Sequence, residues 1–240
     1  MLNDEPTKQR PMNTLSIDIG GTSIKMMVLD SKGQPLTEYF HELTPHPATL
    51  AATCLLLGKM IQPLMSTFDR VSAGFPGVVQ HGIIMTAANM HASWIGFAFQ
   101  DELQRITKRP ALVANDADIQ GLGDVSGNGV ELVITLGTGV GSALFLNGQL
   151  VPNLELGHHP FQDNHTYEEL LGISGLEKDG VTTWRSNLSK AILLWQQTFN
   201  YDQLYLGGGN AHQINFKLPE SVKISDNIEG ILGGIKLWER

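Results

Sequence analysis

The amino-acid sequence predicts an α/β protein of two similar lobes facing each other across a cleft. Two observations carry this. A strand, a glycine turn and a second strand occur at 15–29 and again at 131–146, a weak internal duplication of one supersecondary unit. Around these units, short apolar strand patterns alternate with longer helical stretches, as in a mixed α/β chain.

The elements follow in order. Residues 1–13 read as a frayed tail. Residues 15–19 alternate as a strand and run into Gly20-Gly21; 24–29 is the hairpin partner and 36–40 a third strand. Residues 50–65 are helical by their Ala, Leu and Met content. A short apolar strand at 71–75 precedes Pro76-Gly77, 97–107 reads as an amphipathic helix, and a buried strand at 111–114 ends at Asn115-Asp116. The second half repeats the theme with strands at 131–136 and 141–146, and Asn147-Gly148 is a hairpin signal. A helix at 184–199, a strand at 203–206 and a closing helix at 228–238 complete the chain. The expected lobes are 14–114, with the closing helix packed back on it, and 115–227.

Composition narrows the function. The 240 residues suffice for one large domain or two small lobes. A net charge of −8 disfavours nucleic acid and, less decisively, a long polyanion. The single cysteine, Cys54, can form neither an internal disulfide nor a thiolate cage, and reads as a buried inert thiol. The N-terminal stretch is polar and no apolar run is long enough to span a bilayer, so a cytoplasmic protein is expected. The 26 glycines cluster in short runs, which indicates loops where backbone approaches a ligand.

Three of those runs are candidate anion cradles. In Asp18-Ile-Gly20-Gly21-Thr22-Ser23-Ile-Lys25, turn amides converge, hydroxyls add donors, Lys25 adds positive charge, and Asp18 can bind magnesium directly or through water. The plain alternative is a hairpin with a solvated lysine; Asp18 before the glycines and Lys25 after them favour a phosphate loop. Gly137-Thr138-Gly139-Val-Gly141 repeats the logic, and two such turns fit one ligand clamped from both sides. Gly207-Gly208-Gly209 follows a strand. A helix starting there would accept a nucleotide or phosphate, and a simple strand–helix turn fits nearly as well. P-loop and dinucleotide-binding fingerprints are absent.

Asn115-Asp116 ends a buried strand and opens a helix. An aspartate there can take the proton of a hydroxyl that attacks phosphorus. Asn115 can donate to and accept from a sugar hydroxyl. On local sequence alone, an N-cap is the simpler account. Asp118 reads as facing solvent or capping the first turn. Glu155 and His158, three apart around Gly157, can converge on neighbouring hydroxyls of one polyol. His158, His159 and His165 fit no standard zinc spacing. Glu168 and Glu169 offer either another carboxylate or a solvated helix face, and Asn89 an exposed amide with Trp94 packed under its loop.

These runs, together with Gly74-Phe-Pro-Gly-Val-Val79, Thr86-Ala-Ala-Asn-Met90 and Ser93-Trp-Ile-Gly96, resemble in content and order the ROK family of sugar kinases, and within it the bacterial polyphosphate glucokinases. The resemblance covers roughly 14–210 and implies the actin-like ATPase (ribonuclease H-like) fold, with sugar and phosphoryl donor meeting between two lobes. It implies Asp116 as the base acting on the sugar 6-hydroxyl, with Asn89, Asn115, Glu155, His158 and Glu168 on the sugar. It further implies Asp18, Gly20, Gly21, Thr22 and Lys25 as the first phosphate motif, with Asp18 on magnesium. Gly137, Thr138 and Gly139 correspond to the second motif, and Gly207 and Gly208 to the adenosine side.

Glucose as acceptor, polyphosphate and/or ATP as donor, Mg2+ and a homodimer follow from the same likeness, without nucleic acid or membrane as partner. Residues 159–171 lack the cysteines of the family's zinc loop, so no structural zinc is expected. The thirteen residues before Thr14 are too few for the helix-turn-helix of the family's repressors. Residues 171–190 and those beyond 210 match poorly. Lys178, Arg185 and Lys190, with Lys25, could line a donor track, though solvated charges are the simpler account. Two other readings stand beside this one: an ATP-dependent kinase for mannose, fructose or an N-acetyl sugar, and a non-catalytic sugar sensor, against which intact Asp18, Lys25, Asp116 and Thr138 argue.

Overall fold

The structure is a computed structural model that describes residues 11–225 and 229–239. Residues 1–10 of the expected tail, residues 226 and 227 at the end of the expected second lobe, and position 228 of the closing helix lie outside the described residues. The last tail residue is anchored rather than frayed: Asn13 N donates to Asp69 Oδ2 at 2.9 Å.

Strands β1 (Thr14–Ile19), β2 (Ser23–Leu29) and β3 (Phe40–Leu43) form an antiparallel meander. Helix α1 (Leu50–Ile61) is N-capped by Thr49 and gives way to a 3-10 turn at Pro63, which cannot continue the helix ladder. Strand β4 (Arg70–Phe75) lies parallel to β1. A small hairpin, β5 (Val79–Gln80) and β6 (Ile83–Ile84), leads to helix α2 (Phe99–Thr107) and to strand β7 (Ala111–Asn115), parallel to β4. Helix α3 (Asp116–Asp124) follows without a linker.

The second half opens on a second meander: β8 (Val130–Leu136), β9 (Val140–Leu146) and β10 (Gln149–Val151). After the hairpin β11 (Pro160–Gln162) and β12 (His165–Thr166) come helices α4 (Tyr167–Leu171) and α5 (Ile173–Phe199). Strands β13 (Gln203–Gly207) and β14 (Val222–Ile224) run parallel to β8, and helix α6 (Glu229–Lys236) closes the described chain. The sheet orders are β3-β2-β1-β4-β7 and β10-β9-β8-β13-β14. Each is an antiparallel meander extended by two parallel strands. This is the duplication that the two glycine-turn hairpins predict, on the actin-like plan that the family resemblance implies.

One face of the first sheet buries Leu57, Trp94 and Phe99 from the α1–α2 side; the second sheet buries Trp184, Leu188 and Trp195 of α5. The opposite faces meet α3 and α6. Ile119 and Leu122 of α3 pack with Val133 and Phe145, while Ile231 and Ile235 of α6 pack on Leu29. Ser16 Oγ donates to the Ile231 carbonyl at 2.7 Å, and Trp238 Nε1 to Ser72 Oγ at 2.8 Å, fixing α6 to the first sheet. The two helices touch backbone to backbone: a Cβ on Gly233 would sit 2.8 Å from the Ile119 carbonyl carbon.

Several elements differ from expectation for local reasons. The third strand begins at Phe40, not 36, because Thr37 Oγ1 accepts from Val28 N and displaces regular pairing. Helix α2 starts at Phe99; Phe97 instead packs edge-on to Trp94. Helix α5 starts eleven residues before 184 and is broken at Gly180 (φ 77°), whose glycines masked the helical signal. Asn115 is in register with Phe75 in the first sheet, so it belongs to that sheet rather than to the second lobe. The glycine run at 207–209 leads into a five-residue 3-10 turn (Gly209–Gln213), not an α-helix, and therefore carries no helix-terminus anion site. Among the described residues, no helix is long and apolar enough to cross a membrane.

Substituting Gly233→Ala should force α3 and α6 apart and lower unfolding stability by about 1–3 kcal/mol, the usual cost of overpacking. Urea unfolding checks this; an unchanged midpoint would show that the helices do not meet so closely.

Candidate active site

Asp116 begins α3 one residue past the end of β7. It lies directly over Gly74 of β4, where a Cβ would stand 3.2 Å from Asp116 Cα, so a side chain there would push the start of the helix away from the sheet by a few tenths of an ångström. Gly74 is in register with Asp18, Asp18 with Lys25, and Lys25 with His41. One row thus crosses the sheet from beneath Asp116 to its edge. On the other side, Ala117 packs beside Gly141, just past the second glycine turn.

The Asp116 carboxyl is pushed up to about 8, first by burial and next by the negative charge of Asp18, with Glu155 and Asp118 adding to it; the hydrogen bond from Ala117 N at 2.8 Å pulls the other way. Asp18 is also raised, by burial, against the opposing pull of Lys25, whose Nζ stands 3.7 Å from Oδ2.

Beside Asp116 is a polar cluster drawn from three segments. Asn115 caps α3 through Oδ1 and donates from Nδ2 to the Gly77 carbonyl at 3.2 Å and to Glu155 Oε1 at 2.9 Å. Glu155 sits in a left-handed conformation (φ 48°, ψ 34°), and burial raises its carboxyl, opposed by His158. His158 Nδ1 is 3.3 Å from Glu155 Oε2, and its Nε2 is 3.9 Å from Glu168 Oε2. Glu168 also accepts from Val140 N at 3.1 Å, so it borders both the cluster and the second turn. Glu169 is spent differently, in a capping box with Thr166.

The turns are braced from outside. In the first, Thr44 Oγ1 donates to the Gly20 carbonyl at 2.6 Å and Thr44 N to the Thr22 carbonyl at 3.0 Å. Exposed Asn89 packs its backbone on Gly21 and so stands at the rim of this turn. In the second, the Gly137 carbonyl accepts from Asn210 Nδ2 and from Ile173 N, both at 2.9 Å, which leaves Thr138 exposed at the tip. Gly207 and Gly208 lie behind this turn, against Gln120 and the backbone of Leu136.

Other expected features fall outside the constellation. Arg185 donates to the Gln213 carbonyl and Lys190 to Gln162 Oε1, so the first holds the 3-10 turn after β13 and the second the β11–β12 hairpin. Cys54 is half-buried rather than buried. It lines a separate hollow of about 450 Å³ with Thr49, His91 and Glu102, and burial pushes its thiol up to about 11, which leaves no nucleophile at pH 7. Among the described residues, no group of three or more His, Cys, Asp or Glu converges as a metal cage. Asp18 still suits magnesium, which takes one or two carboxylates plus phosphate oxygens, because a cation would relieve the repulsion between Asp18 and Asp116.

Four contributors escape a reading by motif. Thr44 and Asn210 brace the turns from distant segments; only the position of Asn210 right after the glycine run hinted at this. Asp118 is buried, not solvent-facing, and its Oδ2 accepts from Asn153 N at 3.0 Å. Asn153 itself carries no motif signal.

Comparison with known proteins places these features in context. The ROK family model matches residues 14–168. The polyphosphate glucokinase of Mycobacterium tuberculosis (strain CDC 1551 / Oshkosh) is 30% identical over 230 residues, covering 90% of this chain and 85% of its own length. That of Mycobacterium leprae is 30% identical over 212 residues, covering 85% of this chain; the match spans 65% of the relative's length. Among solved structures, an inorganic polyphosphate/ATP-glucomannokinase from Arthrobacter sp. strain KM superposes with a TM-score of 0.85 at 32% identity, covering 95% of this chain and 98% of that one.

The raised carboxyl of Asp116 has a consequence for stability. The folded protein holds a proton that the unfolded chain releases near its ordinary value, so stability falls as pH rises from about 4 toward 8. Asp116→Asn removes that loss. Its melting temperature should exceed that of the parent at pH 8 and approach it at pH 4; melts at the two pH values decide, and equal melting temperatures at pH 8 would contradict the burial of a charge.

Proposed function

This chain belongs to the ROK family, and from that premise we propose that it is a glucokinase. It would transfer a phosphoryl group from polyphosphate or ATP to the 6-hydroxyl of glucose. One observation carries the reading: a desolvated carboxyl, Asp116, stands between a polyol-type cluster and two glycine turns. The names of the similar mycobacterial and Arthrobacter proteins support the sugar and the donor.

In this reading Asn115, Glu155, His158 and Glu168 hold the sugar hydroxyls, with Asn89 at the rim. Asp116 accepts the proton of the 6-hydroxyl as that oxygen bonds to the phosphorus and the bond to the donor's bridging oxygen breaks. Amides of Gly20, Gly21 and Thr22, the Lys25 ammonium, and the turn Gly137-Thr138-Gly139 offset charge on the transferring group. A magnesium ion on Asp18 would supply further positive charge to the donor's oxygens. Closure of the two lobes on each other excludes water. Lys25 and His41 continue the row away from Asp116, which suits a donor extending along the first sheet; Gly207 and Gly208 would lie toward a nucleotide. A homodimer and a cytoplasmic location are parts of the same proposal.

The test is a coupled assay of glucose, mannose and N-acetyl sugars against ATP and polyphosphate, with and without magnesium. Turnover of glucose is expected; sugar binding by calorimetry without turnover on any donor would turn the reading into a sensor. Asp116→Ala should keep sugar binding and lose about 10²–10⁴ in kcat. The proton-accepting form of Asp116 grows as pH rises toward about 8, so kcat/KM should climb with pH, and magnesium on Asp18 should move that climb to lower pH by relieving the repulsion. Asp18→Asn removes both a charge that raises Asp116 and the proposed magnesium ligand, so it should lower kcat and move the remaining climb to lower pH.

A further inference from the structure

We infer that Asn153 is a positioning residue that holds the sugar-binding segment in place by standing in for a strand across the two lobes; this rests on the kinase reading above. Asn153 follows β10 and precedes Glu155 by two residues. Its side-chain Oδ1 accepts from Val79 N at 2.9 Å and its Nδ2 donates to the Val79 carbonyl at 3.0 Å. Val79 lies on β5, in the first half of the chain. The partner strand does not serve these groups, since Ile84 N of β6 bonds to the Phe97 carbonyl. The Asn153 amide therefore supplies the donor and acceptor that a neighbouring strand would supply. Its own backbone N donates to Asp118 Oδ2, two residues beyond Asp116 on α3.

This geometry bears on Glu155. Asn153 (φ 61°) and Glu155 (φ 48°) are both left-handed. Asparagine tolerates that conformation, whereas glutamate holds it only where the surroundings over-determine it. Asn115 grips Glu155 from one side, and Leu156 N is tied to Ser142 Oγ at 2.8 Å on the other. Asn153 fixes the entry to the segment, and fixes it to the first lobe and to the helix that carries Asp116. Loosening it lets Glu155 relax, which takes the carboxylate from Asn115 and His158 while α3 keeps Asp116 over Gly74.

Two variants test this. Asn153→Gly keeps the left-handed backbone and loses the amide. Asn153→Asp keeps the shape but sets a carboxylate against the Val79 carbonyl and near Asp118. Each should raise KM for glucose about tenfold, the loss expected of two modest hydrogen bonds, and change kcat far less. Hydrogen exchange of the amides at 153–158 reads the fastening without any sugar and should speed up in both. Unchanged exchange in the variants overturns the proposal. So does faster exchange with an unchanged KM, which would make Asn153 merely structural. If Asn153→Asp does not fold, Asn153→Gly decides alone. A parent protein that turns over no hexose sinks the kinase reading instead, and the positioning role with it, whereas normal parent turnover with unaltered variants sinks only the latter.

Discussion

The site depends on a helix that starts where two sheets meet. Strand β7 ends at Asn115 and α3 begins at Asp116, with no residue between to carry the chain away from the sheet. Gly74 presents no side chain beneath that junction, which lets the helix sit close on the sheet. Helix α3 then runs between the sheets and meets α6 along a glycine contact, so the two halves share one internal seam. The Cβ of its first residue is consequently fixed in depth and direction by the backbone, and the Ala117 N–H holds the carboxyl at 2.8 Å, which is the preorganisation that proton transfer requires.

The same junction concentrates negative charge. Asp116, Asp18 and Glu155 are all raised by burial, and Asp116 is raised further by the other two. In a chain of net charge −8 this is an unfavourable arrangement for stability. It is favourable for a site whose ligands bring cations, hydroxyl donors and a proton to remove. Lys25 and His158 moderate the field from either flank without neutralising it. The strained backbone of Glu155 belongs to the same pattern, since local cost is tolerated where neighbouring contacts fix the geometry.

Much of this was legible in the residues. Alternation at 15–29 and 131–146 marks the first hairpin of each meander, because a two-residue period and a glycine turn permit little else, while the third strand of the second meander carries no such pattern. The bracing did not show. Thr44 reaches the first turn from the end of β3, and Asn210 reaches the second from beyond β13; neither lies near its target in sequence. Asp118 looked like a surface residue because the first turn of a helix is usually solvated; here the loop after β10 covers it. The first turns of helix α5 are not legible in sequence because Gly175 and Gly180 interrupt the helical pattern, while tertiary packing of Trp184 and Trp195 sustains the helix.

The linear order of residues by itself determined the repeated architecture, the family, and the chemical types present: carboxylates at strand ends, glycines at turns, amides and an imidazole in one segment. These are local properties, set by periodicity and by the backbone freedom of single residues. Only the tertiary structure decided which groups meet, how deeply Asp116 is desolvated, and that Asn153 links β5 to the segment carrying Glu155. Proton affinity and long-range hydrogen bonding depend on distance and burial, and those come from how the chain returns to Val79 at a residue 74 positions further on.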